Sequence, residues 1–242
     1  MKPPSFQRFG DRAALISWES IIDAEVHAEA VRWDRFMTEN YGEEILETVV
    51  TYQSLVVYLK EGVDPDTFLK SIKASFKTAK QEESTDEHHL ITIPVCYEKD
   101  FAPDLENVAH YHNLSKDEVI QLHSEAMYKV YFLGFLPGFP YLGKLNPKLH
   151  TPRKDDPRPI VAQGSVGIGG KQTGIYPMDS PGGWNLIGRS PLSFFNPTKQ
   201  PPAIIEAGDY VKFKPISTKE FEHIHALVEN GIYLLDKVPY HD

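Results

Sequence analysis

GFLPGFPYLGKLNPKLHTPRKDDPRPIVAQGSVGIGGKQTGIYPMDSPGGWNLIGRSP, Gly134 to Pro191, holds eleven of the chain's 16 glycines and nine of its 19 prolines. Glycine supplies backbone angles closed to other residues, and proline fixes them. A surface linker is rich in both, but it does not also carry Phe135, Phe139, Tyr141, Ile160, Val161, Ile168, Tyr176 and Trp184. Aromatic and branched residues among tight turns read as short strands and shaped loops of a compact all-β domain. The stretch carries a local charge of +4 in a chain of net charge −9, so the remainder carries −13. A cationic island on an acidic protein points to an anionic ligand or a complementary partner surface, or else to scattered solvated lysines.

Working outward, 242 residues suffice for one large domain or two smaller ones. No apolar run reaches the length of a membrane span, and MKPPSFQRFGDRAALISW lacks the apolar core of a signal peptide. Cys96 is the sole cysteine, which rules out an intrachain disulfide and points to the cytoplasm. The acidic balance argues against general nucleic-acid binding. The histidines lack the i, i+4 pairing of a helical zinc site, so no metal is expected.

Toward the N-terminus, Ala13–Trp18 reads as a strand, and Asp23 caps a helix with Val26, Ala30, Trp33 and Met37 at helical spacing. Strands follow over Thr48–Tyr52 and Leu55–Leu59, then a helix from Asp64-Pro65 through Phe68, Ile72 and Phe76. After the polar, turn-like Lys80–Glu87 comes a strand over His89–Val95. The order β-α-β-β-α-β is ferredoxin-like. Residues 1–88 are therefore read as an α/β domain and 89–242 as a second domain, giving an α+β chain. In the second domain a short helix is expected over Asp104–His112. Ser115 and Glu118 form a capping box, and Tyr128–Phe135, Leu192–Phe195 and Asp209–Phe213 are strands. Thr218 is expected to cap a last helix that ends at Gly231. Short strands around glycine-rich turns indicate a barrel.

SVGIGGKQ, Ser165–Gln172, is not a phosphate loop: Ser165 stands where the first glycine belongs, and Gln172 follows Lys171. It reads as turns flanking a strand, whose exposed N–H groups, with Lys171, are candidates for holding an anion or a developing oxyanion. His123 precedes the strand that enters the stretch, and is either a proton-transfer group or a hydrogen-bonded anchor. Trp184, in a Pro-Gly-Gly-Trp turn, is a pocket wall, an interface anchor or core. Arg153, Arg158 and Arg189 can each grip a carboxylate, a ligand's or the chain's own.

The motifs Gly134-Phe-Leu-Pro-Gly-Phe-Pro-Tyr-Leu142, Pro152-Arg153, Pro157-Arg158, Gln172-Thr-Gly-Ile-Tyr-Pro177, Ser180-Pro-Gly-Gly-Trp184 and Ile187-Gly-Arg189, in this order, resemble the KipI family. The likeness extends from Gly10-Asp11 through Ile93-Pro-Val-Cys-Tyr97 and Ser115–His123 to Gly208-Asp209. The family includes the B subunit of 5-oxoprolinase and allophanate hydrolase subunit 1. The resemblance implies an N-terminal α/β domain before a cyclophilin-like β-barrel. It also implies a role beside an A subunit and a KipA-like C subunit in ATP-dependent opening of 5-oxo-L-proline to glutamate. ATP, with Mg, would enter at the level of the complex, and a partner would complete the site. On that footing Arg153, Arg158 and Lys171 form the anion-binding surface, and His123 and Gln172 transfer protons or polarise the carbonyl. Tyr176 and Trp184 shape the pocket, and Arg189 joins them in holding substrate. The family also implies two other roles, inhibition of a sensor histidine kinase and membership of a urea or allophanate amidolyase. An inhibitor needs an exposed apolar patch on the barrel; part of an enzyme needs a pocket that opens onto a partner.

Overall fold

In the computed structural model, which describes residues 2–76 and 88–240, the first unit (residues 1–86) is built on two antiparallel hairpins. β1 (Ser5–Arg8) pairs with β2 (Ala13–Ser17), and β3 (Ile45–Val50) pairs with β4 (Ser54–Leu59). β2 and β4 then join, giving the sheet order β1-β2-β4-β3. Helix α1 (Ala24–Tyr41) starts where the Asp23 carboxylate accepts the N–H groups of Glu25 and Val26. Helix α2 (Pro65–Phe76) starts where Asp64 accepts the Thr67 N–H. Val26, Ala30, Trp33 and Met37 of α1 meet Phe68, Leu69 and Ile72 of α2 in one core with Ala14, Ile16, Leu55 and Val57. Both helices therefore cover the same face of the sheet.

The expected β-α-β-β-α-β order is corrected at its last strand. β5 (His88–Cys96) lies in the second unit (residues 87–242), so His88, assigned by sequence to the first domain, opens a strand of the other. The sheet edge it was expected to fill is taken by β1, which the sequence reading omitted. β5 reads as a long apolar run because it is covered on both sides of a closed sheet, as parallel strands are. The Lys80–Glu87 turn lies outside the described residues.

The second unit is a barrel. Its strands are β5, β6 (Met127–Leu133), β7 (Pro140–Leu142), β9 (Ser165–Gly169), β10 (Gln172–Ile175), β12 (Asn185–Arg189) and β13 (Tyr210–Ile216). They run in the order β12-β9-β10-β7-β6-β13-β5, and β12 returns to β5 at Arg189 opposite Cys96, closing seven strands. β14 (Lys237–Tyr240), also missed by sequence, pairs with the start of β5. β5 and β13 run parallel from Leu90–Tyr210 to Cys96–Ile216. Ile91, Ile93, Val130, Val166, Ile168, Ile175, Val211 and Phe213 fill the interior. Around the barrel lie α3 (Leu105–Tyr111), α4 (Lys116–Ser124, with the expected Ser115–Glu118 capping box) and α5 (Thr218–Glu229). The cap of α5 is Ser217 with Glu220, one residue before the expected Thr218. Leu192–Phe195 is not a strand. Only a Phe195–Ala203 bridge forms there, since Pro191, Pro197, Pro201 and Pro202 bring no N–H to a ladder.

Outside the barrel wall, β8 (Arg158–Val161) and β11 (Ser180–Gly182) form a separate two-stranded ribbon. Val161 from this ribbon joins Phe139, Tyr176, Trp184 and Leu186 in a buried cluster. Trp184 explains the glycines of β9 and β10. A methyl group on Gly169 would lie 2.5 Å from its Nε1, on Gly167 3.2 Å from its Cβ and on Gly174 3.1 Å from its ring. The three glycines form a flat shelf for the indole. Gly169→Ala is expected to destabilise the protein by about 1–3 kcal/mol, the usual cost of forcing volume into a packed site. Chemical denaturation measures this, and a variant as stable as the parent would disprove the shelf.

Candidate functional site

The predicted site residues do not share one hollow. Arg153, Arg158, Tyr176 and Trp184 meet on the outer layer, Lys171 and Gln172 stand at a hairpin turn, His123 is in the core, and Arg189 lines a different cavity.

On the outer layer the Arg153 guanidinium stands 5.7 Å from the centre of the Trp184 ring. Phe139 and Tyr176 meet the same indole edge-on at 5.6 and 6.5 Å. Burial raises the Tyr176 hydroxyl pKa, and the backbone hydrogen bond from Trp184 and the charges of Arg153 and Arg158 partly offset this. A shallow groove of about 410 Å³ runs past Arg153, bordered by Asn107, Tyr111, Thr151, Lys154, Asn185 and the carboxylates of Asp155 and Asp156. Asn185 is fixed by Nδ2 donating to the carbonyls of Pro152 and Ile168. The Thr151 hydroxyl donates to Leu149 O, so it accepts from His112 Nε2 at 3.0 Å. Among the described residues no carboxylate lies within ion-pair distance of Arg153.

Arg158 is different, because a carboxylate of the chain itself already holds it. Its Nη2 donates to Asp104 Oδ1 at 2.7 Å, and Lys154 Nζ reaches the same oxygen at 3.3 Å. Asp104 is 2% exposed. Its Oδ2 accepts the Leu186 N–H at 2.7 Å, and its own N–H donates to Leu186 O at 2.9 Å. Burial pushes the Asp104 carboxyl up. The Arg158 bond, the Leu186 N–H and the charges of Arg158 and Lys154 outweigh burial and hold it below the usual carboxylate range. The cluster ties the start of α3, strand β12 and the outer layer together through Arg158 Nη2, while Arg158 Nη1 is buried without a hydrogen-bond partner. Asp104 was not singled out in the sequence; its partners are 50 and 54 residues away, and no local pattern marks them.

The proton-transfer role expected of His123 is also corrected. The ring is fully buried. The Thr173 hydroxyl donates to Gly167 O, so His123 Nε2–H donates to Thr173 Oγ1 at 2.9 Å. Nδ1 then accepts from the Tyr97 hydroxyl at 2.9 Å. Phe213 stacks on the ring at 4.5 Å. Both nitrogens are engaged and no atom reaches solvent, so His123 is the buried anchor of α4 on the barrel.

Lys171 is exposed beside Gly170 in the two-residue turn of the β9–β10 hairpin, and Gln172 pairs opposite Gly169. The anion-holding role of this segment's backbone is corrected. Gly170 N donates to Thr151 O at 2.7 Å, Ser165 N to Ala162 O at 3.1 Å and Tyr176 N to Ser165 O at 2.9 Å, while β9 and β10 pair with each other. Those donors are used, and Gly167 and Gly169 lie under Trp184, so the segment does not cradle phosphate. Arg189 lines a cavity of about 530 Å³ beside α5.

A closed barrel under a proline- and glycine-built outer layer places the molecule among carboxyltransferase-type folds. The family profile described as carboxyltransferase domain, subdomain C and D, matches residues 4–205. The chain belongs to this family, in the branch that holds KipI and the B subunits of 5-oxoprolinase. It is 38% identical over 237 residues to the 5-oxoprolinase B subunit of Bacillus subtilis, covering 93% of this chain and 97% of that one. Against the 5-oxoprolinase B subunit of Escherichia coli O157:H7 the identity is 43% over 173 residues, 71% of this chain and 78% of the relative. The urea carboxylase of Kluyveromyces lactis shares the fold, with a TM-score of 0.82 at 21% identity over 98% of this chain and 24% of that one.

Burial lowers the pKa of His123 from 6.5 to about 3. The folded state therefore favours the neutral ring. That stability is complete above pH 6.5 and is lost as pH falls toward about 3, on the order of 1 kcal/mol per pH unit for this one group. The His123 ring proton signals in an NMR titration are expected to stay flat between about pH 5 and 8. A midpoint near the ordinary histidine value would overturn the assignment.

Proposed function

We propose that this chain is the B subunit of a multi-subunit, ATP-dependent 5-oxoprolinase that converts 5-oxo-L-proline to L-glutamate. The observation that carries the reading is 38% identity to a protein of that name along 93% of this chain and 97% of the relative. In the reaction the lactam C–N bond breaks, water oxygen adds to the carbonyl carbon, and the ring nitrogen takes up protons to become the amine of glutamate. Amide resonance opposes that attack, which is why the reaction is coupled to ATP. With the glycine-rich segment closed under Trp184, no nucleotide step is assigned to this chain. ATP and Mg are proposed to bind elsewhere in the complex, and an A subunit and a KipA-like C subunit to complete the site. The barrel is read as cyclophilin-like and the first unit as a ferredoxin-like sheet whose fourth strand is supplied by the N-terminus.

Within the assembly, Arg153 and Lys171 are proposed to face anionic charge, with Tyr176 and Trp184 shaping the surface that carries Arg153. Arg153 suits the role because its guanidinium is held by an aromatic face rather than by a carboxylate. Co-purification with candidate A and C subunits, followed by glutamate release from 5-oxoproline, tests the reading. Release is expected only with ATP. An intact complex of all three subunits that neither releases glutamate nor hydrolyses ATP with 5-oxoproline would refute it. Arg153→Ala is expected to lower kcat/KM about 10- to 100-fold, the value of a charged hydrogen-bond partner, with an unchanged melting temperature. Full turnover would remove Arg153 from the site.

A further inference from the structure

We infer that the cavity beside α5 is a binding site for a small carboxylic acid carrying a neutral amide, with Arg189 as its carboxylate receptor. The inference rests on the proposed 5-oxoprolinase reading for the ligand's identity and on geometry for its place.

Arg189 is the last residue of β12 and is paired on both sides, to Ser165 of β9 and Cys96 of β5, at the seam where the barrel closes. Its Nε donates to Gln163 O at 2.8 Å. Gln163 is itself fixed, because its N–H donates to Asp179 Oδ1 at 2.7 Å. The neighbouring Gly164 donates to Tyr176 O at 2.7 Å and accepts from Ser190 N at 2.8 Å. Gly164 has φ +81°, and a methyl group there would collide with Ser190 O, so only glycine lets this turn close against Arg189.

The result is a guanidinium immobilised through Nε with its two Nη groups left over. Among the described residues no carboxylate lies within ion-pair distance of it, in contrast to Arg158. Glu229, the acidic residue lining the cavity, lies 3.5 Å from His225 one helical turn before it, and not within ion-pair distance of Arg189. A planar fork of N–H donors with a fixed root is the geometry that grips a carboxylate through two parallel bonds. The remaining wall is mixed. Leu192, Ile204 and Val228 supply apolar surface. Asn196 keeps Nδ2 as a donor, because its Oδ1 already accepts from Thr198. The cavity of about 530 Å³ lies in the size range of small-ligand sites. An acid with a compact apolar ring and one amide carbonyl satisfies all three features, and 5-oxoproline is such a molecule. The groove at Arg153 lacks this enclosure, which separates the two arginines into different roles.

The test is an NMR titration of the isotope-labelled full chain, alone and assembled with both partner subunits, with L-5-oxoproline and with 2-pyrrolidinone, the same ring without the carboxylate. Shifts are expected at Arg189, Ser190, Leu192 and Val228 with 5-oxoproline only. Arg189→Met is expected to weaken binding about 10- to 100-fold, and Arg189→Lys to restore part of it, since it returns the charge without the fork. Four outcomes overturn the site: shifts confined to the Arg153 groove, equal binding of 2-pyrrolidinone, undiminished affinity of Arg189→Met, or no shifts in either preparation up to about 10 mM ligand. If Arg189→Met does not fold, the shift map on the parent chain decides alone. ATP-dependent glutamate release with shifts elsewhere sinks this site and leaves the 5-oxoprolinase reading standing. Shifts at Arg189 without turnover do the reverse.

Discussion

The indole of Trp184 lies on a strip of backbone that carries no side chains, and the second unit's architecture depends on that contact. A barrel strand normally turns one face inward and one to solvent, but every residue of β9 is buried. Val166 and Ile168 fill the barrel, while Gly167 and Gly169 meet Trp184 on the outside. Removing side chains from two adjoining strands lets a second layer approach to backbone distance. The layer brings Phe139, Val161 and Tyr176 around the indole, and Arg153 above it. A cation so placed keeps its hydrogen-bonding edge available while its face is satisfied.

Asp104 fastens the same layer from beside the barrel. Its carboxylate takes one cation from the proline-rich loop, one from the first residue of β8, and a backbone N–H from β12. A buried carboxylate with a full set of partners specifies one arrangement, and removing any partner leaves charge unpaired in a poor solvent. The arginines of this unit have thus been given different work by their surroundings. Arg158 closes a structural ion pair, Arg153 rests on an aromatic face, and Arg189 is anchored by a peptide carbonyl at the barrel seam. Residue type and proximity in sequence would group them; solvation and neighbours separate them.

The fold family supplies a context for a chain with two cationic features and a fully occupied glycine segment. The same fold forms about a quarter of the much longer urea carboxylase of Kluyveromyces lactis. In this chain the closed barrel presents its polar side chains from loops and strand ends.

Local features were legible in the sequence because their causes are local. The caps of α1, α2 and α4 rest on side chains that bond N–H groups two or three residues away, and Asp23, Asp64 and Ser115 could be read on that basis. The glycine and proline density of residues 134–191 likewise identified a turn-built β domain before any strand was paired. Tertiary structure alone decided where β5 went, because an apolar run suits either sheet and only the occupancy of the first sheet's edge by β1 excludes one of them. It alone decided that His123 is neutral, because the pKa follows from burial and from partners 26 and 50 residues away. The fates of Arg153, Arg158 and Arg189 were open for the same reason. An arginine's role is set by what desolvates and pairs it, and those groups are brought to it only when the chain has closed.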